Sequence, residues 1–325
     1  MEKSFSKALA DIKSLKVQGA ENVAQAGVDA LAKEMRSFKG NSVSFFRHLR
    51  HSISLLKATR PTEPALRNSL RFILAKALEK QHADVEELKH EVSKTASEYK
   101  KHSLETKLAI GELGSKLVPR NGIVLTHCHS STVMRALKKA KDAGKKFEVF
   151  CLETRPRYQG HTSAKELSDY GIKTTLFVDG AVNFALSKMR DSDVCLVGAD
   201  AITVEGDLVN KIGTKMVAQA CLESGKKLYS LTGSHKFDGL TQWGEEEPIE
   251  MREANEVLDE KTRKGKKISA KLNALNPAFD LVEAKYLTAY VTELGLIPPE
   301  SMLAAVSEKN PSVIVHSDES YQGGE

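Results

Sequence analysis

The sequence predicts an α/β protein with an all-helical N-terminal domain over residues 1–118. A Rossmann-like domain over 119–325, with a mainly parallel sheet, is expected to follow. Three observations carry this. Up to residue 118 the apolar positions recur at helical spacing. From Gly122 onward short apolar runs alternate with helical ones, which implies a parallel sheet covered on both faces. Polar clusters follow those apolar runs, where loops leave the carboxyl ends of parallel strands.

Phe5, Leu9, Ile12 and Leu15 fall on one face of a first helix, which Val17-Gln18-Gly19-Ala20 interrupts before Val23 to Phe38 resumes. Lys39-Gly40-Asn41-Ser42 is a stop followed by a cap, and Val43 to Ala58 forms the next helix. Arg60-Pro61-Thr62-Glu63-Pro64 punctuates the chain, because proline excludes helix from the residue before it. Helices then run from Ala65 to Lys80 and from about Asp84 to Leu117. The apolar stripe of the last (Leu88, Val92, Ala96, Tyr99, Leu104, Leu108, Leu113) is too sparse for a strict heptad, so a long surface helix is favoured over a coiled coil. Pro119-Arg120-Asn121-Gly122 is the turn into the second domain. There, strands are expected at 122–126, 147–152, 173–178, 193–197 and 227–232, and helices at 132–143, 162–170, 180–189 and 212–224. A charged segment, Gly244 to Lys271, interrupts the pattern. An edge strand near Tyr290 to Thr292, a last helix after Ile297-Pro298-Pro299 and a polar, mobile tail from Asn310 complete the chain.

Composition narrows the function classes. Of the 325 residues, 41% are hydrophobic and 28% charged, as in ordinary globular proteins. No run has the apolar length of a membrane span, and Met1 to Leu15 lacks the apolar core of a signal peptide. Cys128, Cys151, Cys195 and Cys221 are widely spaced, which suggests reduced thiols and a cytoplasmic protein. The net charge of +5 suits an anionic substrate, while no basic tract with interleaved aromatics argues for nucleic acid.

Chemistry concentrates beyond the expected strands. Thr126-His127-Cys128-His129-Ser130-Ser131-Thr132 puts Cys128 where a strand hands over to a helix capped by Ser130, Ser131 or Thr132. A helix N-terminus there binds phosphate and lowers the pKa of a nearby thiol. Glu153-Thr154-Arg155-Pro156-Arg157-Tyr158-Gln159, Gly198-Ala199-Asp200, Asn210-Lys211-Ile212-Gly213-Thr214 and Ser234-His235-Lys236 occupy the corresponding positions. In a parallel sheet these ends share one edge, so Cys128, Arg155, Asp200, Asn210, Lys211 and Lys236 are expected to converge. Arg155, Lys211, Lys236 and the helix mouths at Ser130 and Gly213 are anion donors, which points to a phosphorylated substrate. Cys128 and Asp200 form an acid–base pair suited to proton transfer at carbon beside an oxygen function. His127 and His129 are expected to face away from Cys128, and no metal-ligand spacing is present.

Together with Asn276-Pro277-Ala278-Phe279-Asp280, these motifs resemble the aldose-1-phosphate isomerase superfamily. That superfamily joins methylthioribose-1-phosphate isomerases, archaeal ribose-1,5-bisphosphate isomerases and non-catalytic regulatory subunits of a translation-initiation exchange factor. The combination of motifs with a short helical N-terminal domain is most similar to the bisphosphate isomerases. The resemblance implies conversion of ribose 1,5-bisphosphate to ribulose 1,5-bisphosphate in archaeal AMP salvage, without a cofactor. It also implies a homo-oligomer, a dimer or a hexamer of dimers, with a nucleotide activator as a further partner. Carried over by position, Cys128 takes the C2 proton and returns one to C1, and Asp200 serves the ring oxygen and the 2-hydroxyl. Gln18, Gly19, Ala20 and Arg60 would bind the substrate phosphates, as would Ser130, Arg155, Gln159, Asn210, Lys211 and Lys236. Two positions depart from the pattern. Gln18 stands where Arg is usual, and Ser131 where the bisphosphate isomerases carry Lys, each removing a positive charge. Other members of the superfamily act on methylthioribose 1-phosphate or bind a ligand without turnover, and these are the alternatives.

Overall fold

The computed structural model describes residues 2–244, 249–258 and 271–309. The expectations for the tail from Asn310 and for much of the charged segment fall outside the described residues. The chain forms two compact units. One comprises Met1–Thr106, His235–Gly244 and the chain from Val306; the other comprises Lys107–Ser234 and Glu245–Ala305.

The first unit is helical. It holds α1 (Lys3–Lys13), α2 (Ala20–Arg36), α3 (Ser42–Thr59), α4 (Pro64–Glu79) and the N-terminal part of α5 (Val85–Leu117). Asn41 and Ser44 cap α3 reciprocally, and Pro64 opens α4 where no N–H is required. The apolar stripes close on a core that includes Phe5, Leu31, Phe45, Leu49, Leu70 and Leu88, all fully buried. Each such side chain stabilises the unit by about 1.5–3 kcal/mol relative to exposure. Residues 235–244 are tied to α4. Arg67 bonds Asp238 at 2.6 Å, and Asn68 Nδ2 donates to the carbonyls of His235 and Phe237, each at 2.9 Å. Leu104 and Leu108, assigned to the apolar stripe of α5 from sequence, are instead 53% and 51% exposed.

The second unit is α/β. Its strands are β1 (Gly122–Thr126), β2 (Phe147–Leu152), β3 (Lys173–Phe177), β4 (Val194–Val197), β5 (Ala201–Ile202), β6 (Leu208–Lys211), β7 (Lys227–Leu231), β8 (Phe279–Val282), β9 (Ala289–Thr292) and β10 (Gly295–Ile297). Its helices are the C-terminal part of α5, then α6 (Ser131–Asp142), α7 (Gln159–Asp169), α8 (Val182–Ser187), α9 (Thr214–Glu223) and α10 (Ala254–Val257). A final helix, α11 (Met302–Lys309), begins just before the unit boundary. Seven strands form one sheet in the order β10-β9-β7-β4-β1-β2-β3, parallel except for the antiparallel pair β9–β10. The side-chain period of two explains the two covered faces. Val124, Val149, Leu196 and Leu231 share a core with α6 and with Leu167 of α7, while Cys195 points oppositely, its sulfur 3.2 Å from that of Cys221 in α9.

Departures from expectation are local. Between the clusters at Gly198-Ala199-Asp200 and Asn210-Lys211, where no strand was expected, lies the hairpin β5–β6, which joins β8 in a three-stranded antiparallel sheet. Helix α7 starts at Gln159, three residues earlier than expected. The chain reverses its direction of travel across the main sheet between β1 and β4. Such a switch point opens a crevice at the carboxyl ends of the two strands.

Candidate active site

The crevice is built from the loops after β1, β2 and β4 and from the β6–α9 junction. After β1 the chain turns at Cys128, whose φ of 67° is in the left-handed region. Thr154 and Tyr158, in the loop after β2, are left-handed as well, at 64° and 56°. For a residue with a Cβ this costs about 1–2 kcal/mol, and it persists where surrounding contacts over-determine it. Those contacts are explicit. The Asp179 carboxylate accepts the N–H groups of Thr154 at 2.8 Å and Arg155 at 2.7 Å. Thr154 Oγ1 accepts the N–H of Cys128 at 2.9 Å, and the Cys128 carbonyl accepts from Ser163 Oγ at 2.9 Å. Cys128 is thus held from both backbone sides.

His127 is buried and bonds the Ile212 carbonyl through Nε2 at 2.9 Å. Burial holds its pKa low, so it carries the Nε2 proton and is neutral. Gly213, with φ of 98°, lies against that ring: a Cβ there would meet His127 Cε1 at 3.0 Å and Nε2 at 3.1 Å. Only glycine satisfies both the backbone and the space. His129 instead bonds Ser163 at 3.0 Å. Ser130 caps α6, its hydroxyl accepting weakly from the Val133 N–H at 3.5 Å. At Gly198, after β4, a Cβ would lie 2.8 Å from Ser130, so these two loops approach closely at the switch point.

Two expectations are overturned. The helix mouth at Gly213 is already filled, because Asp280 Oδ2 accepts the N–H groups of Gly213 at 2.7 Å and Lys215 at 2.9 Å. The start of α9 therefore presents a neutralised end rather than an open anion site. The Cys128 thiol is not acidified. Burial pushes it up to about 11, and the negative charge of Asp200 adds to this, while Lys211 and Arg252 oppose it. Desolvation outweighs these two cations.

The other residues of this unit fall as follows. The Asp200 N–H donates to the Val209 carbonyl at 2.8 Å, which fixes the backbone of this half-buried residue at the entrance of the β5–β6 hairpin. Lys211 is buried at the end of β6, its ammonium 4.3 Å from the centre of the Phe279 ring. Burial lowers its pKa, while Asp200 and Cys128 pull it upward. These mutual influences bring Cys128, Asp200 and Lys211 into one electrostatic neighbourhood. Asn210 is buried and bonds Thr214 at 3.0 Å. Arg155 donates to the Tyr158 hydroxyl at 2.7 Å and the Val257 carbonyl at 3.1 Å. Gln159 opens α7, and its Oε1 is buried without a hydrogen-bond partner beside a small cavity lined also by Lys211, Arg252 and Asn276.

Four residues assigned from sequence lie in the first unit. Gln18 is exposed, its amide donating to the Leu15 carbonyl at 2.9 Å. Gly19 (φ 84°) and Ala20 open α2. Arg60 is buried and paired with Glu63 at 2.6 Å. Lys236 also belongs to this unit, half-buried in the short turn Ser234–Lys236, so it does not come from the sheet-edge unit as expected.

Sequence reading missed Asp179, Ser163 and Arg252, and named Asp280 within a motif without its role at the start of α9. Arg252 lay in the charged segment read as an interruption; its side chain is 9% exposed, bonded to Glu250 at 3.1 Å. Among the described residues no cluster of three or more His, Cys, Asp or Glu is arranged to hold a metal, and no helix is long and apolar enough to cross a membrane.

The model of the Initiation factor 2 subunit family matches residues 16–299. The ribose 1,5-bisphosphate isomerase of Methanocaldococcus jannaschii is 38% identical over 291 residues, covering 89% of this chain and 90% of that protein. The protein of the same name from Archaeoglobus fulgidus is 35% identical over 298 residues, covering 92% and 91%. Among solved structures, 5-methylthioribose 1-phosphate isomerase from Pyrococcus horikoshii OT3 matches with a TM-score of 0.74 and 29% identity, covering 94% of this chain and 88% of that one.

Proposed function

This chain belongs to the Initiation factor 2 subunit family, and within that family we propose that it is an isomerase converting α-D-ribose 1,5-bisphosphate to D-ribulose 1,5-bisphosphate. The observation that carries the reading is the meeting of a thiol, a carboxylate and a buried ammonium at the switch point of the sheet. The relatives named above support the choice of sugar.

The reaction moves one hydrogen from C2 to C1 and opens the ring, with the phosphate retained on C1. Asp200, protonated, gives its proton to the ring oxygen as the C1–O bond breaks, while Cys128, as thiolate, takes the proton from C2. This leaves an enol that carries the phosphate on C1. Cys128 then protonates C1, and Asp200 recovers a proton from the 2-hydroxyl as the ketone forms. Protons balance over the cycle.

The resting site holds Cys128 as a thiol, four units above neutrality at a pKa of about 11. A free thiolate at pH 7 therefore costs about 5 kcal/mol. Lys211, buried against Phe279, favours the Cys128 thiolate and would stabilise the negative charge of the enolate or a phosphate. Ser130, Arg155, Gln159 and Asn210 are assigned to substrate binding, as are Gln18, Gly19, Ala20, Arg60 and Lys236 from the first unit. Turnover within AMP salvage, in the cytoplasm, by a homo-oligomer responsive to a nucleotide, belongs to the same proposal.

A second reading keeps the chemistry and changes the sugar to methylthioribose 1-phosphate, favoured by the neutral Gln18 and Ser131. Incubating the purified protein with each sugar and following product by phosphorus and carbon NMR separates them. Ketose from the bisphosphate alone supports the first reading. Ketose only from the methylthio sugar replaces it with the second, and ketose from neither removes both.

A further inference from the structure

Cys128 leaves β1 in a backbone conformation that a residue with a Cβ rarely adopts, yet no strand pairing is available to enforce it. Its N–H is taken by Thr154, which the family resemblance already places in a motif of the site. Its carbonyl is taken by a residue outside every such motif. Ser163 lies in the first half of α7, is fully buried, and donates its single hydroxyl proton to the Cys128 carbonyl at 2.9 Å. With its proton committed, the Ser163 oxygen accepts from His129 Nδ1 at 3.0 Å. Burial keeps His129 neutral, so it carries its proton on Nδ1 in this arrangement. The relay runs from the ring of His129, through Ser163, back to the residue before that histidine. It closes a ring of contacts around the Cys128–His129 peptide.

We propose that Ser163, oriented by His129, is a positioning residue that locks the left-handed backbone of Cys128 and so aims its thiol. This rests on the catalytic role given to Cys128 above. Rotation about φ carries the Cys128 Cβ and carbonyl together, so the bond that pins the carbonyl also restrains φ; released from Ser163, Cys128 is free to leave the left-handed region and swing the sulfur away. A displacement on the order of an ångström at a reacting atom costs up to about a hundredfold in rate. Ground-state binding of the phosphates does not pass through this peptide, so the loss belongs in kcat rather than KM.

The test uses the full chain with Ser163→Ala, His129→Ala and His129→Asn. Asparagine carries an N–H close to the position of Nδ1. Two readouts are taken: steady-state kinetics with ribose 1,5-bisphosphate, and the rate at which iodoacetamide modifies Cys128, resolved by peptide mass spectrometry. Ser163→Ala is expected to lower kcat by about 10- to 100-fold with KM within about threefold. It is also expected to speed alkylation at least about threefold, because the released thiol samples water. His129→Ala should move both readouts in the same directions, and His129→Asn should return them to within about twofold of wild type. A folded Ser163→Ala protein with wild-type kcat and alkylation overturns the proposal, as does a loss confined to KM. Equal impairment in both His129 variants removes His129 from it. If Ser163→Ala does not fold, the His129 pair decides. If the wild-type protein turns over no sugar phosphate, the function assigned above fails, while alkylation still tests the positioning.

Discussion

Alkylation of the wild-type thiol tests the electrostatics of the site without any substrate. Cys128 titrates at about 11 against an ordinary value of 9.0. At pH 8 the thiolate fraction is then about one in a thousand, compared with roughly one in ten for an unperturbed cysteine. A more basic thiolate is a better nucleophile, and a Brønsted slope near 0.5 over two units returns about a factor of ten. The folded protein should therefore react with iodoacetamide at Cys128 about tenfold more slowly than the urea-unfolded chain at the same pH. The rate should climb close to tenfold per pH unit from pH 7 to about pH 10. Timed labelling with mass spectrometry of the Cys128 peptide measures both. A rate that already levels off at pH 8 would refute the reasoning, because it would mean that the start of α6 and Lys211 overcome burial and the resting site holds a thiolate.

Three further outcomes are expected. Asp200→Asn should abolish turnover yet still bind the sugar phosphate in titration calorimetry, since the amide keeps the shape but cannot carry the proton; loss of binding in an unchanged fold would make Asp200 a binding residue instead. Gly213→Ala should destabilise the protein by about 2–4 kcal/mol, from a left-handed alanine and overpacking against His127, and an unchanged denaturation midpoint contradicts the contact. Stability should fall as pH rises from about 9 to 11: Cys128 and Cys151, pushed up to about 11 and about 12, keep their protons in the fold after the unfolded chain has lost them. Flat urea midpoints across that window would argue against the desolvation of half-buried Cys128 and buried Cys151.

The parallel sheet was legible because its central strands are buried on both faces, so runs such as Val124-Leu125 and Val194-Cys195-Leu196-Val197 carry no polar interruption. The turn at Pro119 and Asn121 and the cap at Asn41 were legible for local reasons: proline fixes its own φ, Asn121 takes a left-handed φ of 55°, and the Asn41 side chain caps α3. The hairpin β5–β6 was not, because Ala201–Ile202 is too short to show a period. Strand β8 was hidden by Asp280, a charge inside an apolar run that serves as the cap of α9 from 65 residues away. That contact is a product of the fold, and nothing adjacent in the chain announces it. The same holds for the thiol of Cys128. A strand-to-helix junction is a local pattern and predicts an acidified cysteine, but desolvation is contributed by residues distant in sequence and it prevails. Asp200 was readable as chemistry because it follows the parallel strand β4, whereas Lys211 ends the antiparallel strand β6 rather than a loop beyond a parallel strand; Arg252 and Ser163 were not readable, as a charge in a charged segment and a serine in a helix carry no local signature of a site.

Cys128 is proposed as the group that moves the carbon-bound proton. Turnover of ribose 1,5-bisphosphate by the wild-type protein and by Cys128→Ser, with matched circular dichroism and melting temperature, tests it most directly. A serine hydroxyl is a far weaker acid than even the perturbed thiol, so the alkoxide is out of reach near neutral pH. Ribulose 1,5-bisphosphate is expected from the wild type and none above background from the variant. Ketose formation by folded Cys128→Ser at a rate within about tenfold of wild type would contradict it.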